Sequence, residues 1–502
     1  MSQAARYILA LDQGTTSSRA IAFDRAGRPV ASAQRELTQL LPSPGHVEHD
    51  PDEIWEGQLA CARDVVASIG GPDRVAAIGV TVQRETTVLW ERATGRPVAP
   101  AIVWQSRITA PRCEAVRSAG HEARIRDLTG LPVDAYFSAT KIAHLLDSAP
   151  DLRARAGAGE LVAGTVDAWL VWNLTGGREH LTDVSNASRT SLLDIRSLAW
   201  DPWLCEVFDV PMAILPRVVS SSGVVAETDP GVLGRAIPIA GIAGDQQAAT
   251  FGQACLAEGD AKNTYGTGAF LLRNAGNEPV PSEGGSLTTV LWRLADGEPA
   301  VYALEGSVFI AGAAVQWLRD GLRAIDAAAD VERLATGIGH DEGVYLVPAF
   351  TGLGAPWWDP AARGLLIGIT RGTALPHIAR ATIDSIAYQV RDVLAGMDAD
   401  TGQPLSVLRV DGGAARNDDL LAFQADLLGV PVERPVVTET TAAGAAFLAG
   451  IGVGFWSGPE EVAATWRLDR RFEPTMAERE RERLVAGWRR AVERSLGWAV
   501  EG

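Results

Sequence analysis

Two segments half a chain apart carry the same pattern, and that repetition restricts the architecture of this 502-residue chain more than any other feature. The first reads Tyr7-Ile-Leu-Ala-Leu-Asp12-Gln-Gly14-Thr15-Thr16-Ser17-Ser-Arg19-Ala-Ile-Ala-Phe, the second Lys262-Asn-Thr264-Tyr-Gly266-Thr267-Gly268-Ala-Phe270-Leu-Leu. Each is an apolar run, a Gly/Thr turn and a second apolar run, which predicts a β-hairpin. The period is far too long for a solenoid. The length also exceeds what one hydrophobic core usually serves. A duplicated domain follows, with 1–252 as the first copy, 253–502 as the second and the boundary near 252–259.

The intervening pattern is mixed. Residues 75–82 and 87–90 read as strands joined by a polar step, 92–97 as a turn, and 52–68 as a helix with Ile54, Leu59, Ala62 and Val65 on one face. Residues 405–410 read as a strand and 417–428 as a helix. Strands alternating with helices of this length predict α/β architecture. The Gly/Ala-rich stretch 441–456 is shorter than a membrane span and reads as a buried helix. The charged tail 476–496 reads as a surface helix with Leu484, Trp488 and Val492 on its apolar stripe.

A net charge of −17 argues against nucleic acid or an anionic membrane as partner. Any anionic ligand must therefore be met by backbone N–H groups, a metal ion and single arginines; Lys141 and Lys262 are the only lysines. Cys61, Cys113, Cys205 and Cys255 form no metal-binding or disulfide spacing. With no secretion signal in residues 1–11, they fit a reducing cytoplasm.

The hairpin turns are the first chemical signal. Glycine lets a backbone approach phosphate closely, and N–H groups and Thr hydroxyls can cradle its oxygens. Asp12, at a strand end, is placed to reach Mg2+. Either turn alone is ordinary; two in equivalent positions favour a polyphosphate held between two domains. The chain lacks the P-loop, dinucleotide, protein-kinase and nucleophile-elbow motifs. Asp411-Gly412-Gly413-Ala414-Ala415-Arg416-Asn417 joins a strand to a helix, and Asn417 can either cap that helix or bond a flat ligand.

The second signal is Gln83-Arg84-Glu85, charged residues interrupting an apolar region. It is either a buried structural ion pair or a recognition pair for a diol, the carboxylate accepting from hydroxyls and the guanidinium donating. Asp245 ends the apolar run 237–244 and is either a helix-capping aspartate or a general base at a strand end.

Together these segments resemble the FGGY family of carbohydrate kinases, and within it the branch that phosphorylates glycerol. Eleven segments match in order: 11–19, Gln83-Arg-Glu85, Val103-Trp-Gln105, 164–169, Asn186-Ala-Ser-Arg-Thr190, Gly244-Asp-Gln-Gln247, 263–268, 311–317, 348–356, Ser385-Ile-Ala-Tyr-Gln389 and Val410-Asp-Gly-Gly413. The resemblance implies two actin-like (ribonuclease-H-like) α/β domains flanking a deep cleft, and transfer of the ATP γ-phosphate to glycerol. It implies Arg84, Glu85, Tyr136, Asp245 and Gln246 as glycerol ligands, with Trp104 and Phe270 as an apolar wall. Thr15, Thr16, Ser17, Arg19, Thr267, Gly312, Gln316, Gly413 and Asn417 are the implied nucleotide contacts. Asp245 is the implied base and Asp12 the carboxylate associated with Mg2+. A homodimer or homotetramer is compatible with this reading.

The chain also departs from the family. His46 stands where Trp is common, and Ser106 where an acid follows Trp-Gln in many members. The loop 227–236 lacks both the histidine that some relatives phosphorylate and the Gly-Gly-Thr-Arg pattern that others use for fructose 1,6-bisphosphate. Two other readings share the phosphate turns: a kinase for a longer polyol or ketose such as xylulose, and a non-catalytic actin-like nucleotide switch.

Overall fold

The computed structural model describes residues 5–499. In the N-terminal half, six strands form one sheet. They are β1 (Tyr7–Gln13), β2 (Ser17–Phe23), β3 (Pro29–Glu36), β4 (Val75–Val82), β5 (Ser222–Glu227) and β6 (Pro238–Gly244), in the order β5-β6-β4-β1-β2-β3. In the C-terminal half, β7 (Ala261–Tyr265), β8 (Ala269–Gly276), β9 (Leu287–Trp292), β10 (Val301–Val308), β11 (Leu408–Asp411), β12 (Val432–Pro435) and β13 (Leu468–Phe472) form a second, in the order β9-β10-β8-β7-β11-β12-β13.

The two sheets follow one plan. β3, β2 and β1 are antiparallel neighbours; β1, β4 and β6 run parallel; β5 pairs antiparallel with β6. Likewise β10, β8 and β7 are antiparallel, β7, β11 and β12 parallel, and β13 antiparallel to β12. β9 is an extra edge strand on β10. This is the ribonuclease-H-like sheet of actin-like proteins, present twice. The parallel strands β1, β4 and β6 are almost wholly buried, which is why they read as continuous apolar runs rather than alternating ones.

Six helices matter for the site: α1 (Pro51–Ser68), α2 (Asp245–Gly252), α3 (Leu375–Thr401), α4 (Asp418–Leu428), α5 (Thr440–Gly452) and α6 (Glu478–Glu493). Asp50 caps α1 by accepting from Asp52 N at 2.9 Å, so this helix starts within two residues of the expected position. On α6 Leu484, Trp488 and Val492 are buried, the predicted stripe. α5 is the buried Gly/Ala helix, and among the described residues no helix is long and apolar enough to cross a membrane. Although it belongs to the second half of the chain, α5 packs on β1, β4 and β6 of the first. Glycine makes that approach possible: a Cβ on Gly79 would lie 2.1 Å from the Ala445 carbonyl oxygen.

Two local expectations are corrected. The strand read at 405–410 begins only at Leu408, because the Leu405 N–H is taken by the Asp398 carboxylate at 3.1 Å as the chain leaves α3. The runs 75–82 and 87–91 lie in different sheets. The second joins a four-stranded sheet with 161–165, 101–102 and 48–49. The polar step 83–86 is where the chain turns from one sheet to the other.

Candidate active site

The ends of three parallel strands define the place. Gln13 of β1, Val82 of β4 and Gly244 of β6 lie in one row across the sheet. The residues just beyond are therefore brought together: the turn Gly14-Thr15-Thr16, the triplet Gln83-Arg84-Glu85, and Asp245. Outside the carboxyl ends of parallel strands is where open α/β sheets carry their ligands. Asp245 is the first residue of α2 and Gly244 its cap, so the helix-capping reading of Asp245 is replaced. Its Oδ1 accepts from Gln246 N at 2.7 Å and lies 3.2 Å from Arg84 Nε, and the side chain is 30 % exposed.

Arg84 and Glu85 are both buried, yet they are not chiefly each other's partners, since Arg84 Nε lies 3.8 Å from Glu85 Oε1. Arg84 donates to both carboxylate oxygens of Glu305 on β10, at 2.5 and 2.7 Å. Arg189 donates to Glu85 at 2.7 Å and to Glu305 at 3.2 Å. Two arginines and two glutamates thus make a buried quartet across the two halves. Burial alone would push Glu305 up, but Arg189 and Arg84 hold it down to about 2. Burial raises Glu85, because its share of guanidinium contact is smaller. Glu85 also sits at φ 60°, a left-handed backbone that is costly for a glutamate. Ser138 Oγ and Thr87 Oγ1 hold it there by donating to its carbonyl oxygen at 3.1 and 3.0 Å.

An aromatic wall stands beside the quartet. Trp104 meets Tyr136 edge-on at 5.6 Å and Phe270 at 6.1 Å between ring centroids. Residues 104 and 136 come from the first half and 270 from the second, so the wall exists only in the folded chain. Trp104 Nε1 donates to Thr15 Oγ1 at 2.9 Å, tying the wall to the first Gly/Thr turn. The two lysines lie behind these residues, fully buried. Lys141 Nζ donates to the carbonyls of Tyr136 and Phe137; Lys262 Nζ donates to Gln246 Oε1, to Thr264 Oγ1 at 2.9 Å and to Phe270 O at 3.4 Å. Burial lowers them to about 7 and about 8 respectively.

The second turn is equally local. Gly266 N donates to Gly268 O at 2.8 Å. The segment carrying Gly312 and Gln316 is laced to it: Gly312 N donates to Gly266 O at 3.0 Å, and the N–H groups of Ala311 and Ala313 donate to Thr267 O at 2.8 and 3.0 Å. Gly412, at φ 87°, backs onto the same turn, where a Cβ would lie 2.4 Å from Tyr265 O. Gly413 follows it, and Asn417 Oδ1 caps α4 by accepting from Leu420 N at 2.9 Å. Thr267, Gly312 and Gly413 therefore lie near the end of β7, as Thr15, Thr16 and Ser17 do near the end of β1, with Gln316 and Asn417 further along the segments that carry Gly312 and Gly413. Arg19 bonds Asp12 at 2.8 Å and also pairs with Glu439.

Asp12 fits a nucleotide-borne Mg2+. Burial raises it, Arg19 opposes that rise, and the nearby Asp245 and Glu439 add to it, so a further cation is electrostatically welcome there. Among the described residues no cluster of three or more His, Cys, Asp or Glu forms a metal cage. One carboxylate supplemented by phosphate oxygens and water suits Mg2+. A cavity of about 630 Å3 between α3, α4 and α6 contains none of the candidate residues.

Arg84, Glu85, Tyr136, Asp245, Gln246, Trp104 and Phe270 thus converge from both halves, while each Gly/Thr turn stands at the end of a strand of its own sheet. Arg189 and Glu305 were missed as site residues. Glu305 carries the same signal as Gln83-Arg84-Glu85, a lone acid in the apolar run Val301–Val308. Arg189 lies in the matching segment 186–190, but its partners are more than a hundred residues away and nothing in its immediate neighbours points to them.

A duplicated ribonuclease-H-like sheet, with a Gly/Thr turn at the end of the matching strand in each half, defines a protein of the actin-like class. The family model for the N-terminal domain of the FGGY family of carbohydrate kinases matches residues 7–252, and that for the C-terminal domain matches 261–453. The chain belongs to the FGGY family of carbohydrate kinases. It is 59% identical over 496 residues to a glycerol kinase of Symbiobacterium thermophilum, covering 99% of each chain. It is 62% identical over 495 residues to one of Aromatoleum aromaticum, covering 98% of this chain and 99% of that one. The crystal structure of Plasmodium falciparum glycerol kinase with ADP superimposes with a TM-score of 0.92 at 35% identity, covering 98% of both chains.

Proposed function

We propose that this protein transfers the γ-phosphate of ATP to a terminal hydroxyl of glycerol, giving sn-glycerol 3-phosphate and ADP. The observation that carries this reading is the single row of strand ends bringing Asp245 beside both Arg84-Glu85 and the Gly14-Thr15-Thr16 turn. The full-length relatives that are glycerol kinases support the choice of acceptor.

In this reading Glu85 and Arg84 hold glycerol hydroxyls, with Tyr136 and Gln246 completing the polar set. Trp104 and Phe270 cover the carbon chain. Asp245 takes the proton of the attacking hydroxyl as its oxygen bonds to the γ-phosphorus, the bond to the bridging β–γ oxygen breaks, and ADP leaves. Thr15, Thr16, Ser17, Arg19 and Thr267 contact the phosphates from the two turns. Gly312, Gln316, Gly413 and Asn417 flank the rest of the nucleotide. Asp12 reaches Mg2+ carried by the phosphates, which supplies charge neutralisation there. The wall of aromatic rings suits a short acceptor and keeps off water that would otherwise take the phosphoryl group. A cytoplasmic setting keeps the four buried thiols reduced.

The test is a coupled ADP-release assay over a polyol panel. Glycerol should give the largest kcat/KM, whereas preference for xylulose or gluconate overturns the acceptor. Glu85→Ala should raise KM for glycerol about 10- to 100-fold, the worth of a hydrogen bond to a charged group, with KM for ATP little changed. Equal effects on both constants would make the glutamate structural.

A further inference from the structure

Lys262, Leu272 and Glu305 occupy one cross-strand row on β7, β8 and β10: Lys262 pairs with Leu272, and Leu272 with Glu305. Directly paired residues share a sheet face. Both charged ends of this row reach across to the first half of the chain. Glu305 grips Arg84, and Lys262 grips Gln246. We propose that Glu305 and Lys262 are positioning residues for the acceptor, through which the C-terminal sheet sets the geometry of a site whose ligands come mostly from the N-terminal half. This inference rests on the acceptor site described above.

Arg84 is contested. Its Nε lies 3.2 Å from Asp245, while both of its terminal nitrogens are committed to Glu305. The bidentate grip fixes the plane of the guanidinium and keeps two of its three nitrogens from closing on Asp245. Without the Glu305 charge, Arg84 would turn toward Asp245, the nearer of its two remaining carboxylates. The donors presented to the acceptor would be lost, and Asp245 would be locked in an ion pair. One of the two acceptors of Arg189 would also lose its charge, freeing the guanidinium to shift Glu85.

Lys262 argues from composition as well as geometry. Of 45 lysine and arginine residues, only Lys141 and Lys262 are lysine, so arginine serves almost everywhere a cation is needed. At position 262 three acceptors surround one point: Gln246 Oε1, Thr264 Oγ1 and Phe270 O. A compact ammonium with three donors satisfies them, and a planar guanidinium fork does not. Gln246 is thereby oriented by its oxygen, leaving its amide N–H groups for a ligand, and the Phe270 backbone is fixed beneath its ring.

The experiment uses the full chain and compares wild type with Glu305→Gln, Glu305→Asp and Lys262→Met. KM for the acceptor, KM for ATP, kcat and Tm are measured for each. Glu305→Gln and Lys262→Met should each raise acceptor KM at least tenfold while ATP KM stays within twofold. Glu305→Asp, which keeps the charge, should recover part of the loss. Acceptor KM within twofold of wild type in folded protein overturns the proposal, and so do parallel rises in both KM values. If Glu305→Gln does not fold, Lys262→Met decides by the same criterion; failure of all three variants to fold makes these groups structural and also overturns it. The acceptor used is whichever polyol the wild type turns over fastest. Should that not be glycerol, the function proposed above falls, while the KM comparison still decides this inference.

Discussion

Asp245→Asn should lower kcat roughly a thousandfold, within the range that a positioned base contributes, while leaving ATP and ADP affinity within about twofold of wild type. The amide matches the carboxylate in size and retains an oxygen that can accept from Gln246 N, now at 2.7 Å. It cannot take a proton from an attacking hydroxyl. It also removes the negative partner of Arg84 Nε at 3.2 Å, but the bidentate contact with Glu305 holds that guanidinium in place. The loss should therefore appear in kcat, with acceptor KM changing much less. Single-turnover measurements with saturating glycerol and ATP check the chemical step, and calorimetric titration checks the nucleotide. Turnover retained within tenfold would show that another group accepts the proton.

Gly444→Ala should destabilise the protein by about 3 kcal/mol or more, the cost of overpacking that the backbone must absorb. The reason is contact between two helices with no side chain between them. A Cβ on Gly444 of α5 would lie 1.8 Å from the Ala248 carbonyl oxygen of α2, and one on Gly252 of α2 would lie 2.0 Å from Thr440 O of α5. Neither clash can be relieved by rotating a side chain, because the obstructing atoms are backbone. The helices must separate, and α2 begins with Asp245. Lowered Tm should therefore be accompanied by lowered kcat in the surviving folded protein. Gly157→Ala is the control: it ends a surface helix, and a Cβ there meets nothing within 4 Å. It should be neutral or slightly stabilising. Equal Tm values for Gly444→Ala and wild type would refute the close packing of α2 on α5.

The fold was readable where local chemistry and global placement agree. The two hairpins, α1, α4, α5 and α6 each announce themselves by periodicity, a cap or a Gly/Thr turn, and the repeated hairpin implies the repeated sheet. What could not be read is which sheet a strand joins. Residues 75–82 and 87–91 look like one interrupted run, and only the chain reversal at 83–86 sends them to separate sheets. The candidate site divides in the same way. Arg84, Glu85 and Asp245 stand out as charges in apolar surroundings, a signal visible in one dimension. Glu305 carries that signal too, but its pairing with Arg84, like that of Arg189 with Glu85, spans more than a hundred residues, and sequence spacing carries no trace of either contact. Lys262 was conspicuous by rarity, but rarity alone names no partner.

α5 lies late in the chain and covers β1, β4 and β6 of the first sheet. During synthesis the first sheet must wait, one face bare, until nearly the whole polypeptide has left the ribosome. The apolar residues Ile8, Ala10, Ala77, Ala240 and Ala243 share a cluster with Ala442, Ala446 and Phe447 and gain that part of their cover only then. The amino-terminal half made alone should consequently be sticky and prone to aggregate, despite its self-contained appearance. In the complete chain a segment made late thus acts as the lid on the first sheet.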